Sequence, residues 1–389
     1  MSRAPRELFA TYTVALGMSA AMLAFAAPAA ATPLALAGGS GGDECLTAEP
    51  PVASAPAKPL RFGITPQLAG TVGEGQGEVV PVDPRKRSAA LGALSPPRGT
   101  MVIRLNRLFM SDGRDGIRRF VRRARMYARD GYSVESQIRY HPRPSQEGDM
   151  DKWARFVERA TRSLAQNPAL VALTVTNEVN LPISENTSDG AYRRAIRAIV
   201  RGVPAAERVL GELGRRDVQL GFSYAYRYTP EEDADFFRRI GELAGKRFRR
   251  ALDHVGLQVY PGLVWPPVLA TQTAGEATLE ALTLLRRCYM PKAGLGRRFG
   301  IWITENGSAT NLGHTEERQA RELSQTIRAV HRLSGTLGVS DYRYFNLRDN
   351  EPNGGDIFDN VGLLRADYSR KPAFEVFRRA VRRFGSRAR

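Results

Sequence analysis

Between residue 60 and the C-terminus, short runs of β-branched and apolar residues alternate with longer stretches of helical period, and the alternation is completed eight times. The strand-like runs fall at 60–65, 101–105, 132–138, 170–176, 218–224, 254–260, 299–304 and 340–345. Helical stretches lie at 113–130, from 149, at 189–203 with a second one behind it, and at 229–248, 273–287, 315–333 and 371–384. In Thr229-Pro230-Glu231-Glu232 a capping threonine precedes a proline and two acids suited to a first helical turn. Eight strand-helix units in about 330 residues predict a single (β/α)8 barrel, with any site at the C-terminal ends of its strands. A doubly wound open sheet shares the alternation but carries a glycine-rich turn after its first strand. Here that turn reads Thr65-Pro66-Gln67-Leu68-Ala69-Gly70, which lacks the spacing.

The barrel is expected to occupy 59–389. Residues 1–37 read as a signal peptide or an N-terminal anchor: Arg3 and Arg6 open the segment and 14–31 is apolar and alanine-rich. Ala29-Ala30-Ala31 or Ala35-Leu36-Ala37 suits cleavage. Residues 38–58, rich in Gly, Pro, Ala and Ser, are expected to form a flexible linker. The Gly- and Pro-rich segment up to residue 98 is long for a loop, with a short helix near 83–91. The expected location is therefore secreted or cell-surface, where Cys45 and Cys288 are free to pair.

The net charge is +17, yet only Lys58, Lys86, Lys152, Lys246, Lys292 and Lys371 are lysines, so the surplus is arginine. Arg118, Arg119, Arg122, Arg123 and Arg125 alternate with Ile117, Phe120, Val121 and Ala124, the pattern of an amphipathic helix with a wet face. No basic stretch is interleaved with aromatics, so nucleic acid is not an expected partner, while affinity for an acidic polysaccharide stays open. His141, His254, His314 and His331 show no metal-ligand spacing, and no Gly-x-Ser-x-Gly turn occurs. Neither a metal nor an organic cofactor is expected.

Two of the strand-like runs end alike. Thr174-Val175-Thr176-Asn177-Glu178 and Ile301-Trp302-Ile303-Thr304-Glu305-Asn306-Gly307 each deliver a glutamate beside an asparagine at an open strand end. Cleaving a glycosidic bond takes such a pair, because one carboxyl protonates the leaving oxygen while the other attacks the anomeric carbon or activates water. Thr176-Asn177-Glu178 and Ile303-Thr304-Glu305-Asn306-Gly307 resemble the signatures of the retaining glycoside hydrolases of clan A. The second is similar to the nucleophile motif of the β-glucosidase family in that clan.

The resemblance implies a secreted retaining β-glycosidase acting on oligo- or polysaccharides, with Glu178 as acid/base and Glu305 as nucleophile. It further implies that Asn177 bonds the sugar 2-hydroxyl and that Arg104, or the nearby Arg107, holds the nucleophile ionised. Tyr260 matches a tyrosine that bonds the nucleophile, and His141 falls where a histidine lines the sugar subsite. Tyr224, at the end of the fifth run, and Trp265, on the loop after the sixth, are further candidates for sugar contact. The eighth run departs from the pattern: where a tryptophan is usual, the chain reads Tyr344-Phe345-Asn346, so that Phe345 replaces the aromatic surface or Asn346 gives a polar contact. That departure motivates the alternative of a non-catalytic or degenerate barrel that binds glycan.

Overall fold

Eight parallel strands close into a barrel in chain order: β1 (Arg61–Ile64), β2 (Val102–Phe109), β3 (Ser133–Arg139), β4 (Leu170–Val175), β5 (Gln219–Ala225), β6 (His254–Gln258), β7 (Gly300–Glu305) and β8 (Val339–Tyr344). β8 returns to pair with β1, Phe62 opposite Tyr342 and Ile64 opposite Tyr344. The computed structural model describes residues 44–47, 49–66, 80–97, 99–183, 185, 187–351 and 355–386. The signal segment expected at 1–37 lies outside these residues, as do 67–79 of the long segment after β1.

Helices cover the outside: α1 (Pro84–Leu94), α2 (Gly113–Arg129), α3 (Met150–Leu164), α4 (Ala195–Glu212), α5 (Pro230–Leu243) and α6 (Lys246–Ala251). Behind them, α7 (Ala274–Leu284) passes through a π-helical turn, Leu285–Tyr289, into α8 (Met290–Lys292), and α9 (Glu316–Leu337) and α10 (Pro372–Phe384) complete the ring. Each helix presents one apolar stripe to the barrel, as α2 does with Ile117, Phe120, Val121, Ala124 and Tyr127, while its arginines face water. The expected barrel is therefore the observed one. The boundary expected inside 189–212 is not: α4 is one helix that runs straight through Pro204. Its long buried face, from Ala198 to Leu210, outweighs the hydrogen bond that the proline cannot make. The reverse holds at 229–248, which divides into α5 and α6 around Ala244 and Gly245.

The inside of the barrel is charged. Arg61 reaches Asp341 at 2.6 Å, Arg343 bridges Asp341 at 2.7 Å and Glu135 at 2.8 Å, and Glu135 in turn pairs with Arg104. Arg104, Glu135 and Arg343 are wholly out of water. Alternating signs thus run along the barrel from its floor to the level of the site, each ion neutralising the next. Space for this ladder comes from Gly63, where a Cβ would lie 2.5 Å from Cδ of Arg343.

Residues expected to be a flexible linker are tied down where they are described. Cys45 and Cys288 form a disulfide, with Cα atoms 5.3 Å apart. The Ser54 and Lys58 amides donate to Thr336 Oγ1 at 3.0 Å and Ser334 Oγ at 2.7 Å, both on α9. The stretch has almost no regular structure of its own, so its composition reads as a linker while hydroxyls of a neighbouring helix take up its backbone donors. The compact unit that holds the barrel begins at Glu44.

Candidate active site

β4 delivers Glu178 through an unusual backbone. Thr176 and Glu178 both have left-handed φ, 71° and 46°, a conformation that costs a non-glycine residue about 1 kcal/mol or more. Asp189 holds this turn, accepting from the Asn177 amide at 2.9 Å while its own amide donates to the Asn177 carbonyl at 2.9 Å. The Asn177 side chain is equally engaged. Its oxygen accepts from Gln137 on β3 at 2.9 Å and from Gln258 on β6 at 2.7 Å. Its Nδ2 donates to Glu178 Oε2 at 3.2 Å and to the Thr187 carbonyl at 3.1 Å.

β7 delivers Glu305 by simpler means. The Tyr260 hydroxyl donates to Glu305 Oε2 at 2.9 Å, and the Arg104 guanidinium lies 3.5 Å from Oε1. Behind it, Asn306 donates to the Val259 carbonyl at 2.8 Å and accepts from the Tyr342 hydroxyl, which links β6, β7 and β8. Gly307 must be glycine, since a Cβ there would lie 2.5 Å from the Phe345 carbonyl oxygen. The Phe345–Asn346 peptide is cis.

Both glutamates line one narrow pocket at the C-terminal end of the barrel, with Asn177, Tyr260, Phe345 and Phe358 around them and Asn106, Arg107, Arg139 and Thr187 along the β2, β3 and β4 side. Burial, reinforced by the Glu305 charge, pushes Glu178 up to about 8. Burial raises Glu305 as well, but Arg104, the Tyr260 hydroxyl and Arg139 oppose it. Of the two carboxyls, Glu305 therefore holds the negative charge and Glu178 the shared proton. Below them Glu135 is the reverse case, held down at about 2 by Arg104 and Arg343 against the effect of its burial.

Glu178, Glu305, Asn177 and Tyr260 come together in the pocket, and Arg104, rather than Arg107, is the arginine on Glu305. Tyr224 is a correction. Along β5 Ser223 points inward to Gln137, so the next side chain points outward, and Tyr224 packs edge-on against Phe237 at 5.0 Å under α5. His141 stands behind the pocket, stacked on Phe109 at 4.5 Å with Nδ1 3.1 Å from Ser111 Oγ. Trp265 is half-buried against the hydrophobic core, and neither it nor Asn346 lines the pocket. Asn346 is buried, and its side-chain nitrogen and oxygen have no partner among the described residues.

Several participants escape a motif-based reading: Glu135, Gln137, Arg139, Gln258 and Asp189. The first three stand at alternate positions of β3, and polar residues repeating every second position on a strand buried on both faces are a legible sign of an inward polar row. Asp189 opens a one-turn 3-10 helix, Asp189–Ala191, in the connection after β4 and carries no such sign.

The sequence matches no protein family and no curated protein. Among solved structures the chain is similar to GH5_18 from Streptomyces cattleya in complex with GlcNAc, at 16% identity and a TM-score of 0.56 over 84% of this chain and 81% of that one. It is similar to the family 1 β-glucosidase from Thermotoga maritima in complex with isofagomine lactam, at 14% identity and a TM-score of 0.55 over 86% and 100%. A family 39 glycoside hydrolase from Bacteroides cellulosilyticus gives 15% identity and a TM-score of 0.55 over 83% and 63%. These neighbours belong to the clan whose signatures the sequence resembles, and at such identities the likeness is one of fold.

Proposed function

We propose that this chain is an exported retaining β-glycosidase that hydrolyses O-glycosidic bonds by double displacement. The observation that carries the reading is the shared pocket of Glu178 and Glu305, two strand-end carboxyls whose partners push them towards opposite protonation states. In the first step Glu305 attacks the anomeric carbon. The bond from that carbon to the glycosidic oxygen breaks, and the proton of Glu178 passes to the leaving oxygen. Ester formation removes the Glu305 charge that had reinforced the effect of burial on Glu178, so Glu178 ionises more readily than before. It then takes a proton from water as the water oxygen attacks the same carbon, and Glu305 leaves as carboxylate.

The surroundings support these roles. Arg104 and the Tyr260 hydroxyl keep Glu305 ionised and aimed, while Asn177, locked by Gln137 and Gln258, offers its amide beside Glu178 to the sugar 2-hydroxyl. Phe345 supplies an aromatic wall where clan A barrels usually have tryptophan. Export is supported by the Cys45–Cys288 disulfide and the character of residues 1–37.

Incubation with a panel of activated 2-deoxy-2-fluoro β-glycosides tests the proposal. Intact mass should rise by one glycosyl unit in the parent protein and not in Glu305→Gln. A folded parent protein that binds glycan but acquires no adduct from any donor would point to the non-catalytic barrel.

A further inference from the structure

On the outside of the barrel, α9 and α10 enclose a groove of about 380 Å³ in which every charge is positive. Arg328 on α9 and Arg379, Arg382 and Arg383 on α10 form its exposed rim, and no carboxylate lines it. The three on α10 fall at i, i+3 and i+4, which brings them to one side of that helix. The floor is apolar, with Ile327 and Ala380 buried and Val376 half-buried. At one end the groove meets the half-exposed ring of Phe384, which His331 backs by stacking at 4.3 Å. None of these residues lines the pocket of Glu178 and Glu305.

The acids of the two helices are committed elsewhere. Glu316 holds Arg365 at 2.6 Å, Glu322 holds Arg318 at 2.7 Å, and Glu375 takes both Arg370 at 3.0 Å and Arg378 at 2.5 Å. Glu317 stands in the first turn of α9, outside the groove. Arg328, Arg379 and Arg382 make no hydrogen bond or ion pair among the described residues. Exposed arginines also line α2, but on an open helix face, where water and salt screen each one singly. A recess lined by one sign over an apolar floor concentrates the field instead, and an anion that enters it relieves the mutual repulsion of the rim.

Shape narrows the choice of anion. A bilayer is flat and reaches only the rim. Duplex nucleic acid is broader than the gap between two helices packed about 8–10 Å apart, and a row of aromatic rings on which bases stack is absent from the lining. An extended chain of sugars suits both parts of the groove. Its C–H faces cover the apolar floor, while carboxylates or sulfates meet guanidinium groups whose paired N–H donors match them.

We propose that the groove between α9 and α10 binds an anionic polysaccharide, a chain bearing carboxylates or sulfate esters, at a site separate from the catalytic pocket. The proposal goes beyond the glycosidase reading, because the groove holds the protein on an acidic polymer whether or not that polymer is cleaved.

Calorimetric titration with polygalacturonate, dextran sulfate and uncharged dextran tests it. At least one anionic polymer should bind the parent protein, added salt should weaken that binding by about tenfold or more, and uncharged dextran should not bind. Which of the two polymers binds identifies the anion. The triple variant Arg328→Gln/Arg379→Gln/Arg382→Gln should lose roughly tenfold or more in affinity. Arg122→Gln/Arg125→Gln/Arg129→Gln removes the same charge from the exposed face of α2 and should cost less than about threefold. All six positions are exposed, so both variants should fold, which circular dichroism checks. Failure of both anionic polymers to bind, or equal losses in the two variants, would overturn the proposal. So would duplex DNA or phosphatidylglycerol vesicles that bind as tightly and with the same dependence on the groove arginines, since the occupant would then be another class. Glu305→Gln should bind the polymer as the parent does, and a loss there would move the polymer to the pocket. A parent protein that binds the polymer but forms no adduct with any 2-fluoro donor would remove the glycosidase and leave the groove.

Discussion

Glu135 and Glu178 belong to neighbouring strands of the same barrel, and both are shielded from water, yet they sit at opposite ends of the carboxyl range. Glu135 accepts from two arginines, Arg104 and Arg343, and stays ionised far below neutrality at about 2. Glu178 has a neutral amide, Asn177, as its hydrogen-bond partner and the Glu305 charge close by, and keeps its proton up to about 8. Burial acts on both in the same direction. What separates them is the sign of the nearest charge, so the barrel assigns one carboxyl to structure and the other to proton transfer by choosing its neighbours.

Exchanging either carboxyl for an amide probes that division. Glu178→Gln should lower kcat/KM on unactivated glycosides by roughly 10²- to 10⁴-fold, the usual worth of a general acid. Dinitrophenyl glycosides, whose leaving group needs no proton, should lose far less in the glycosylation step, and urea unfolding should show stability equal to the parent or higher. A large fall in stability with activity retained would invert the comparison. Glu135→Gln should do the opposite, destabilising by roughly 3–5 kcal/mol because two buried guanidinium groups lose their counter-charge. A urea midpoint within error of the parent would show that the ladder is not held by charge.

Smaller effects follow from pH. Glu178 is raised, so it adds no ionisation penalty while it is protonated and becomes a growing cost to stability as pH climbs from the ordinary carboxyl range towards about 8. Glu135 is depressed, so its contribution is present in and above the ordinary range and is lost as pH falls towards about 2. The alkaline limb of kcat/KM should report Glu178. In Glu305→Gln, carbon-13 chemical shifts should place the Glu178 titration lower than in the parent protein, and an unmoved or higher titration would discount the repulsion from Glu305.

Much of this was legible in the chain. The strands keep β-branched and apolar residues on the face turned to the helices and alternate with helical stretches, which makes all eight evident even where β3 and β8 turn charge inward. Glu178 and Glu305 stood out because a carboxylate ending such a run has no structural use for an apolar neighbour. Tyr224 misled because a strand end offers two faces and one residue of register decides between them. The floor of the site was the least visible part. Glu135, Arg104 and Arg343 come from three strands far apart in sequence, and only closure of the barrel sets their signs in alternation. Arg107 was noticed as a rival to Arg104, but the bulge in β2, between Leu105 and Leu108, that gives it a separate place cannot be seen without the register of β3.

The missing Cβ at residue 63 bears on how such a molecule could be altered or recombined. An alanine there would meet the Arg343 stem at 2.5 Å and the Val102 carbonyl oxygen at 2.5 Å, so a first strand that carries a side chain at this place collides with β8 and with the backbone of β2 alike. Arg343 in turn cannot shrink first without leaving Glu135 to Arg104 alone and Asp341 to Arg61 alone. Any route that changes these positions singly passes through forms less stable than either end, and their effects will not add. The catalytic rim can be redesigned loop by loop, whereas its foundation is transplantable only as a whole.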